Sequence, residues 1–254
     1  MGLALRRVGY GGRLVGVSRK ETVERARELG AIDEGWTYDD LDQALAGADL
    51  VVLCTPIKRI LELLEEIPRH AAPGALVTDV GSTKRRIVES ACAHFGDEIH
   101  FLGGHPMAGS EKAGVDAADP FLFQNAIYIL VEATPVPAQL RDEFAKLLRQ
   151  IGAKVMELSA ELHDQVVAAI SHLPQMMATA LVEMVGRKNE EQNGFLPLAA
   201  GGFRDLTRIA SSPFAPVWED ICQTNADEIG KMIDQYVTIL QDFRERLGEE
   251  SLGI

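Results

Sequence analysis

Cysteine is scarce in this 254-residue sequence: Cys54, Cys92 and Cys222 are the only three, and no two of them form a CxxC pair. An odd and widely spaced set excludes a disulfide framework and favours a reducing compartment, which we expect to be the cytoplasm. We find no cluster of residues with metal-ligand spacing and therefore expect no metal site.

Positive charge is also in short supply, because 25 Lys and Arg face 38 Asp and Glu, giving a formal net charge of −13. Phosphate binding needs a basic face, so this balance excludes nucleic acid as the main partner. No signal peptide and no membrane-length apolar run is visible, so we expect no membrane partner. The apolar fraction of 46% supports a sizeable core, and the length allows two domains.

A glycine-rich GxGxxG loop, which would hold the pyrophosphate of a dinucleotide, is absent as well. Met1–Tyr10 has the pattern of the end of an apolar helix, and Gly9, Gly11 and Gly12 follow that helix rather than open it. The first strand and its loop are therefore expected upstream of Met1. Three explanations stay open: a start placed too late, a truncated protein, or a protein that never bound a dinucleotide.

Strand and helix patterns alternate over residues 1–158. Apolar runs at Leu50–Cys54 and Ala75–Val80 predict buried parallel strands, and helical spacing follows at Ile57–Ile67 and Ile87–Phe95. Further strands are predicted at Arg13–Val17, Ile127–Glu132 and Lys154–Glu157, and further helices at Glu21–Leu29 and Gln139–Ile151. This order predicts an α/β domain with a parallel sheet and right-handed crossovers.

Residues 159–254 have a different texture, with long helical stretches at Ala160–Met184 and Trp218–Leu247 and no convincing strand. Their apolar stripes exceed what two or three helices bury alone. We therefore expect a helical second domain that forms a homodimer. The alternative is that the stripes pack onto the first domain.

The segment Gly103–Glu111 reads Gly-Gly-His-Pro-Met-Ala-Gly-Ser-Glu and follows the apolar run Ile99–Leu102. Two glycines allow the backbone to approach a ligand closely, and a histidine follows at once. We expect His105 on a rigid loop at a strand end, where α/β enzymes place their chemistry. The alternative is a structural histidine in a capped loop.

Ser18, Arg19 and Lys20 follow the predicted strand Arg13–Val17, at the position that reaches the adenosine ribose of a dinucleotide. A hydroxyl and two cations, with no acidic residue, suit a 2′-phosphate and favour NADP over NAD. An ordinary basic turn is the alternative. Two other strand ends would line the same crevice, with these candidate contacts: Thr55, Pro56, Gly81 and Ser82.

Three polar clusters interrupt the apolar second half, and one of them, Trp218-Glu219-Asp220 with Asn225, lies on a helix that we interpret mostly as scaffold. In Ser-His-Leu-Pro-Gln, His172 precedes a proline by two residues, which predicts a helix kink that points into a cleft; a satisfied core histidine is the alternative. In the second cluster, Arg204 and Arg208 are four apart and share a helix face, which suits a dicarboxylate that Asp205 helps to orient. A salt-bridged surface helix is the alternative there.

Four motifs together resemble the prephenate/arogenate dehydrogenases of tyrosine biosynthesis: Gly-Gly-His-Pro-Met-Ala-Gly-Ser-Glu, Asp-Val-Gly-Ser-Thr-Lys, Ser-His-Leu-Pro, and Gly-Gly-Phe-Arg-Asp-Leu-Thr-Arg-Ile-Ala. They occur in the order of that family and cover essentially the whole chain. The resemblance implies a Rossmann-like domain followed by a helical dimerisation domain. It also implies oxidative decarboxylation of a cyclohexadienol with hydride transfer to NAD or NADP.

The resemblance further implies residue roles. His105 matches the histidine that accepts the proton of the ring hydroxyl, and Ser82 matches the serine that helps to hold it. Arg208 matches the arginine that binds a substrate carboxylate, and Arg204 falls where the family often has a basic residue that shapes the potential of the site.

Other positions match the edge of the family's pocket. Glu111 and Asp205 match acids of an ionic network at the site entrance, and His172 matches a histidine that lines the pocket. Gln175 stands where some members carry a second histidine, so the resemblance does not establish how the substrate side chain is recognised there.

Two other function classes remain. A dehydrogenase of similar build that acts on a small hydroxy acid would rely on a lysine in the helical domain, and Ala160–Met184 contains none. A non-catalytic dimeric remnant that lost its cofactor loop is the second. The sequence does not separate prephenate from arogenate, which differ by a keto and an amino group.

Overall fold

The computed structural model describes residues 1–109 and 114–248. Its residue contacts divide the chain into Met1–Ala160 and Glu161–Ile254, which we call the sheet unit and the helical unit. The division falls two residues beyond the boundary that the sequence predicts.

The strands of the sheet unit form two sheets. β1 (Val15–Val17) pairs with β2 (Glu34–Trp36) in parallel. The second sheet has the order β3-β4-β5-β6-β7, with the bounds β3 Leu50–Leu53, β4 Leu76–Asp79, β5 His100–Pro106, β6 Ile127–Glu132 and β7 Lys154–Glu157. β3, β4 and β5 are parallel, so their carboxyl ends lie at one edge of the sheet.

Helices connect these strands and supply the apolar faces that bury the sheet. Their bounds are α1 Gly2–Arg7, α2 Lys20–Glu28, α3 Leu41–Leu45, α4 Ile57–Glu66, α5 Arg85–His94 and α6 Ala138–Gln150. Side chains from α1 and α6, including Leu5 and Leu148, pack with Leu76, Leu102 and Leu130 of the central strands in one core cluster. This alternation of parallel strands and helices confirms the predicted α/β class.

The sheet unit differs from the sequence prediction in two respects. β6 runs antiparallel to β5, so the larger sheet is mixed rather than wholly parallel. β2 and α3 were not predicted, because a strand of three residues and a helix of five are too short to establish a hydrophobic period.

The helical unit contains no strand among its described residues 161–248, as predicted. Its helices are α7 Ala160–Val167 (which begins one residue earlier, in the sheet unit), α8 Leu173–Glu191, α9 Gly201–Thr207, α10 Val217–Thr224 and α11 Ala226–Arg246. The predicted kink before Pro174 is a π-helical turn, Ala168–His172, between α7 and α8. Proline lacks the N–H that an α-helix needs at that position, so the backbone widens there.

The segment Ala160–Glu191 is one continuous helix of 32 residues, long and apolar enough by length and composition to cross a membrane. The sequence analysis expected no such run. The helix also buries ionisable and polar side chains, among them His163, Asp164, His172 and Gln175. Its most apolar 18-residue window is only 28% buried, so one face of the helix packs within the unit and the rest is exposed.

Candidate active site

His105 lies on β5 itself, opposite Ile129 of β6, and not on a loop beyond the strand as predicted. The antiparallel pairing with β6 continues through Pro106, and this extends the strand past the two glycines. The side chain is half-buried. A strand holds it more rigidly than a loop would, which suits a group that transfers a proton.

One buried carboxylate anchors the backbone beside both predicted catalytic residues. Asp79 Oδ1 accepts a hydrogen bond of 3.0 Å from the N–H of Gly104, the residue before His105. Asp79 Oδ2 accepts one of 2.7 Å from the N–H of Gly81, the residue before Ser82. Asp79 thereby links the backbone segments that carry His105 and Ser82.

The charge of Asp79 is balanced by Lys84, whose ammonium contacts Oδ2, and both side chains are completely buried. A buried ion pair persists only where further hydrogen bonds satisfy its remaining polar groups. The backbone N–H groups of Gly81 and Gly104 do so for the carboxylate.

Close packing requires glycine at position 104 and leaves little room for a side chain at position 103. A Cβ on Gly104 would lie 2.5 Å from the Asp79 carbonyl oxygen and 3.0 Å from Thr78 Oγ1. A Cβ on Gly103 would lie 3.1 Å from the Val131 carbonyl oxygen. Only glycine lets β5 pass this closely between its neighbours.

The candidate cofactor residues lie where strands of the sheet unit end. Ser18 follows β1 and donates its backbone N–H to the Trp36 carbonyl at 3.1 Å, while Arg19 and Lys20 are exposed at the start of α2. Thr55 and Pro56 connect β3 to α4, and Gly81 follows β4. Cations and a hydroxyl at a helix N-terminus fit the phosphate of an adenosine moiety.

His172 is almost completely buried and lies at the centre of a polar cluster in the helical unit, which fits the alternative of a satisfied core histidine rather than a side chain that points into a cleft. Asn225, at the start of α11, places its Nδ2 2.9 Å from the Asp164 carbonyl oxygen and 3.3 Å from His172 Nδ1. The Trp218 ring stands edge-on to the imidazole, with centroids 6.2 Å apart.

Burial lowers the pKa of His172 to about 4, with Asp164 acting in the opposite direction and His163 in the same direction. The imidazole is therefore neutral near pH 7, and the Asn225 amide donates to its Nδ1. Its proton then resides on Nε2, which makes His172 a neutral donor.

Gln175 is buried on the same face of the kinked helix as His172 and Ala178, at helical spacing. Arg204 and Asp205 are exposed on α9, and Arg208 is exposed at the start of the 3-10 turn Arg208–Ser211. The structure places both arginines one helical turn apart.

Both halves of the chain match the same protein family. Residues 1–157 match the nucleotide-binding domain of prephenate dehydrogenase, and residues 159–252 match its dimerization domain. The chain belongs to the prephenate dehydrogenase family. The matches meet at residue 158, where the sequence analysis places the domain boundary.

Individual members of the prephenate dehydrogenase family are similar in sequence to this chain over nearly its whole length. The Bacillus subtilis prephenate dehydrogenase is 37% identical over 250 residues, which are 98% of this chain and 67% of that protein. Thus the chain spans about two thirds of that relative's length.

Solved structures of the family superpose closely. Prephenate dehydrogenase from Aquifex aeolicus, in complex with hydroxyphenyl propionate and NAD⁺, has a TM-score of 0.90 at 31% identity and covers 98% of this chain and 86% of its own. Synechocystis arogenate dehydrogenase has a TM-score of 0.82 at 34% identity, with 98% and 88% covered. The Rossmann-like domain followed by a helical domain is therefore confirmed.

One predicted site residue, Glu111, falls outside the described residues, in the gap 110–113.

A cavity of about 280 Å³ in the sheet unit is lined by Leu102, Glu132, Arg141 and Glu157, among others. None of the predicted site residues lines that cavity, so it is not the candidate site.

Sequence reasoning missed the residues that hold the site. Asp79 and Lys84 lie in the Asp-Val-Gly-Ser-Thr-Lys motif, but nothing in the motif reveals that they pair or that Asp79 reaches Gly104. The sequence analysis assigns Asn225 to a helix that serves mostly as scaffold, whereas its side chain contacts His172. The one available signal was a charged residue at the end of a strand whose other residues, Leu76, Val77 and Thr78, are uncharged.

Proposed function

We propose that this protein catalyses the NADP- or NAD-dependent oxidative decarboxylation of prephenate or arogenate, the dehydrogenase step of tyrosine biosynthesis. The observation that carries the proposal is that Asp79 binds the N–H groups of Gly104 and Gly81, the residues directly before His105 and Ser82. Removal of a hydroxyl proton requires a proton-accepting group that is held in a fixed position.

In this mechanism the nicotinamide dinucleotide, when bound, supplies the hydride acceptor. His105 accepts the proton of the ring hydroxyl at its imidazole nitrogen while the carbinol carbon loses hydride. Ser82 orients that hydroxyl toward His105. The ring carboxylate then leaves as carbon dioxide, and the electron pair of the broken bond makes the ring aromatic.

Arg208 binds a carboxylate of the substrate, since a guanidinium pairs with a carboxylate through two parallel hydrogen bonds. Arg204 adds positive potential, and Asp205 orients the pair. His172 donates a hydrogen bond from Nε2 to the substrate, and Gln175 offers both a donor and an acceptor on the same helix face.

For the cofactor we propose a preference for NADP over NAD. The exposed cations Arg19 and Lys20, together with the Ser18 hydroxyl, support it because none of the three repels a 2′-phosphate. Replacing Arg19 by Ala is expected to lower kcat/KM for NADP about tenfold, the scale of one charge-assisted hydrogen bond, and to leave NAD unaffected. An equal loss with both cofactors would contradict this preference.

We also propose a homodimer formed through the helical unit. Large apolar side chains are exposed on it, including Leu198 (83%), Leu206 (68%) and Ile170 (62%). Surfaces this apolar mark interaction sites. Light scattering in solution is expected to give about twice the 27.7 kDa chain mass. The protein is expected in the cytoplasm, a location that the three unpaired cysteines support.

The function is tested by following reduced nicotinamide at its near-ultraviolet absorbance, with prephenate and arogenate each paired with NAD and NADP. We expect turnover with at least one pair, and the best pair names substrate and cofactor. The same measurement is made on a form of the protein extended upstream of Met1. Absence of turnover by both forms with all four pairs would overturn the proposal and favour the non-catalytic remnant. Turnover only with a small hydroxy acid would favour the related dehydrogenase.

A further inference from the structure

We propose that Asp79 is a positioning residue: its carboxylate sets the placement of His105 and Ser82 by holding the backbone N–H groups beside them. This inference rests on the proposed function for its catalytic consequence, but its geometric content does not depend on the substrate. Neither sequence motif that carries His105 or Ser82 assigns such a role to Asp79.

The first step is the location of Asp79 at the end of the β4–β5 pairing. The parallel register between these strands ends at Thr78 opposite Leu102. Beyond that point the N–H of Gly104 is bonded by the Asp79 side chain at 3.0 Å instead of a β4 carbonyl. The carboxylate therefore fixes the path of β5 over the last two residues before His105.

The second step is that the same carboxylate fixes the loop after β4. Its other oxygen accepts the Gly81 N–H at 2.7 Å, and a Cβ on Gly81 would lie 2.9 Å from that oxygen and 2.6 Å from Ile87 Cδ1. The loop is thus held on both sides, and Ser82 follows directly. A displacement of Asp79 would move both catalytic segments together.

The third step is that Lys84 orients the carboxylate. Its ammonium contacts Oδ2, its stem passes 3.6 Å from the Cβ position of Gly103, and neither partner is exposed to water. A charged acceptor forms stronger hydrogen bonds with backbone N–H groups than a neutral one. The ion pair therefore stiffens the two backbone bonds instead of only filling the core.

The test compares wild type with Asp79→Asn, which keeps the size of the side chain but loses its charge and one acceptor oxygen. We expect kcat per folded molecule to fall about 100-fold, the cost of an error of about 1 Å in placement, with KM changed less than about threefold. Amide exchange at Gly81 and Gly104 should accelerate at least about tenfold, because both N–H groups lose a charged acceptor.

Two control variants separate positioning from stability. Asp119→Asn makes the same chemical change at an exposed carboxylate that accepts the Phe121 N–H at 2.8 Å, and we expect it to leave kcat unchanged. Leu148→Ala opens a cavity in the core of the sheet unit, so its melting temperature should fall without a loss of kcat per folded molecule.

The double variant Asp79→Asn with Lys84→Met covers the case in which Asp79→Asn alone does not fold, because it removes both charges of the buried pair. We expect it to fold and to stay at least about tenfold below wild type in kcat. Wild-type kcat in the folded double variant would overturn the proposal, as would unchanged exchange at Gly81 and Gly104 in Asp79→Asn. If wild type itself turns over no substrate, the proposed function fails, and the exchange measurement still decides the positioning role.

Discussion

The two histidines assigned to the site are buried to different degrees and are held in different ways. His105 is half-buried on a strand whose backbone is tied to a buried ion pair. His172 is buried, and a neutral amide, Asn225, contacts its ring directly. Burial lowers the pKa of His172 to about 4, so it stays neutral under the conditions in which a base must accept a proton.

This difference indicates a division of labour between the two units. In the sheet unit, the buried Asp79 carboxylate binds backbone N–H groups near His105, and the His105 side chain remains accessible enough to exchange a proton. The helical unit uses a neutral network that fixes the direction of a single donor. We infer that proton transfer belongs to His105 and hydrogen bonding without charge belongs to His172.

Replacing His105 by Asn gives the largest expected effect, because it removes the proton acceptor. We expect kcat to fall by roughly 10² to 10⁴-fold, the usual contribution of a general base. Steady-state rates with the best substrate and cofactor pair check this. His94→Asn, at an exposed histidine of α5, is the matched control and should not change the rate. Near-wild-type turnover of the His105 variant would mean that another group acts as the base.

Acid should lower the free energy of unfolding, because His172 resists protonation in the folded protein and not in the unfolded chain. Its pKa is about 4 in the folded protein and near 6.5 when unfolded, so between these values the unfolded chain binds a proton that the folded chain does not. The free energy of unfolding is therefore fully retained above pH 6.5 and falls as the pH drops toward 4, by about 3 kcal/mol.

Urea unfolding at several pH values measures this loss. The variant His172→Asn should lose about 3 kcal/mol less than wild type between pH 7 and 4, because it lacks the titrating group. The same comparison with His94→Asn should show no such difference. Parallel curves for wild type and His172→Asn would mean that the buried imidazole does not resist protonation.

Replacing Arg208 by Ala tests whether the helical unit binds the substrate carboxylate. The variant loses a charge-assisted contact to a carboxylate, so KM should rise roughly 10 to 100-fold while kcat stays close to wild type. Arg187→Ala, which removes an exposed arginine paired with Glu183 on α8, is the matched control. A loss of kcat with unchanged KM would instead assign Arg208 to the transition state.

The sequence predicts the two-domain layout well because long apolar runs fix their own position. The bounds of β6 and β7 agree with prediction residue for residue, since Glu132 ends the first run and the charged residues Lys154 and Glu157 bound the second. The anchoring network could not be predicted, because Asp79 and Gly104 are 25 residues apart and meet only once β4 and β5 pair. His105 was misplaced onto a loop for the same reason: its strand is extended by pairing with β6, which no local pattern reveals.

The variant Asn225→Asp gives the smallest expected effect and tests the hydrogen bond between Asn225 and the neutral His172 ring. A carboxylate at that position stops donating to His172 Nδ1 and favours the charged ring, so the pKa of His172 should rise from about 4 by about one unit. A nuclear magnetic resonance titration of the ring measures it. The groups that face the ring are His163, Asp164 and Trp218; the two ionisable ones act in opposite directions on its pKa, and neither is changed.

Gln223→Glu is the matched control for this variant, because it makes the same amide-to-carboxylate change on the exposed face of α10, two residues earlier in the chain. It should shift the pKa of His172 by less than about 0.3 units, since solvent screens a charge on that face. Equal shifts in both variants would mean that the general field of the helical unit, and not the contact with Asn225, sets the protonation of His172. In that case the contrast between the two histidines would reduce to their burial alone, and Asn225 would return to the role of scaffold.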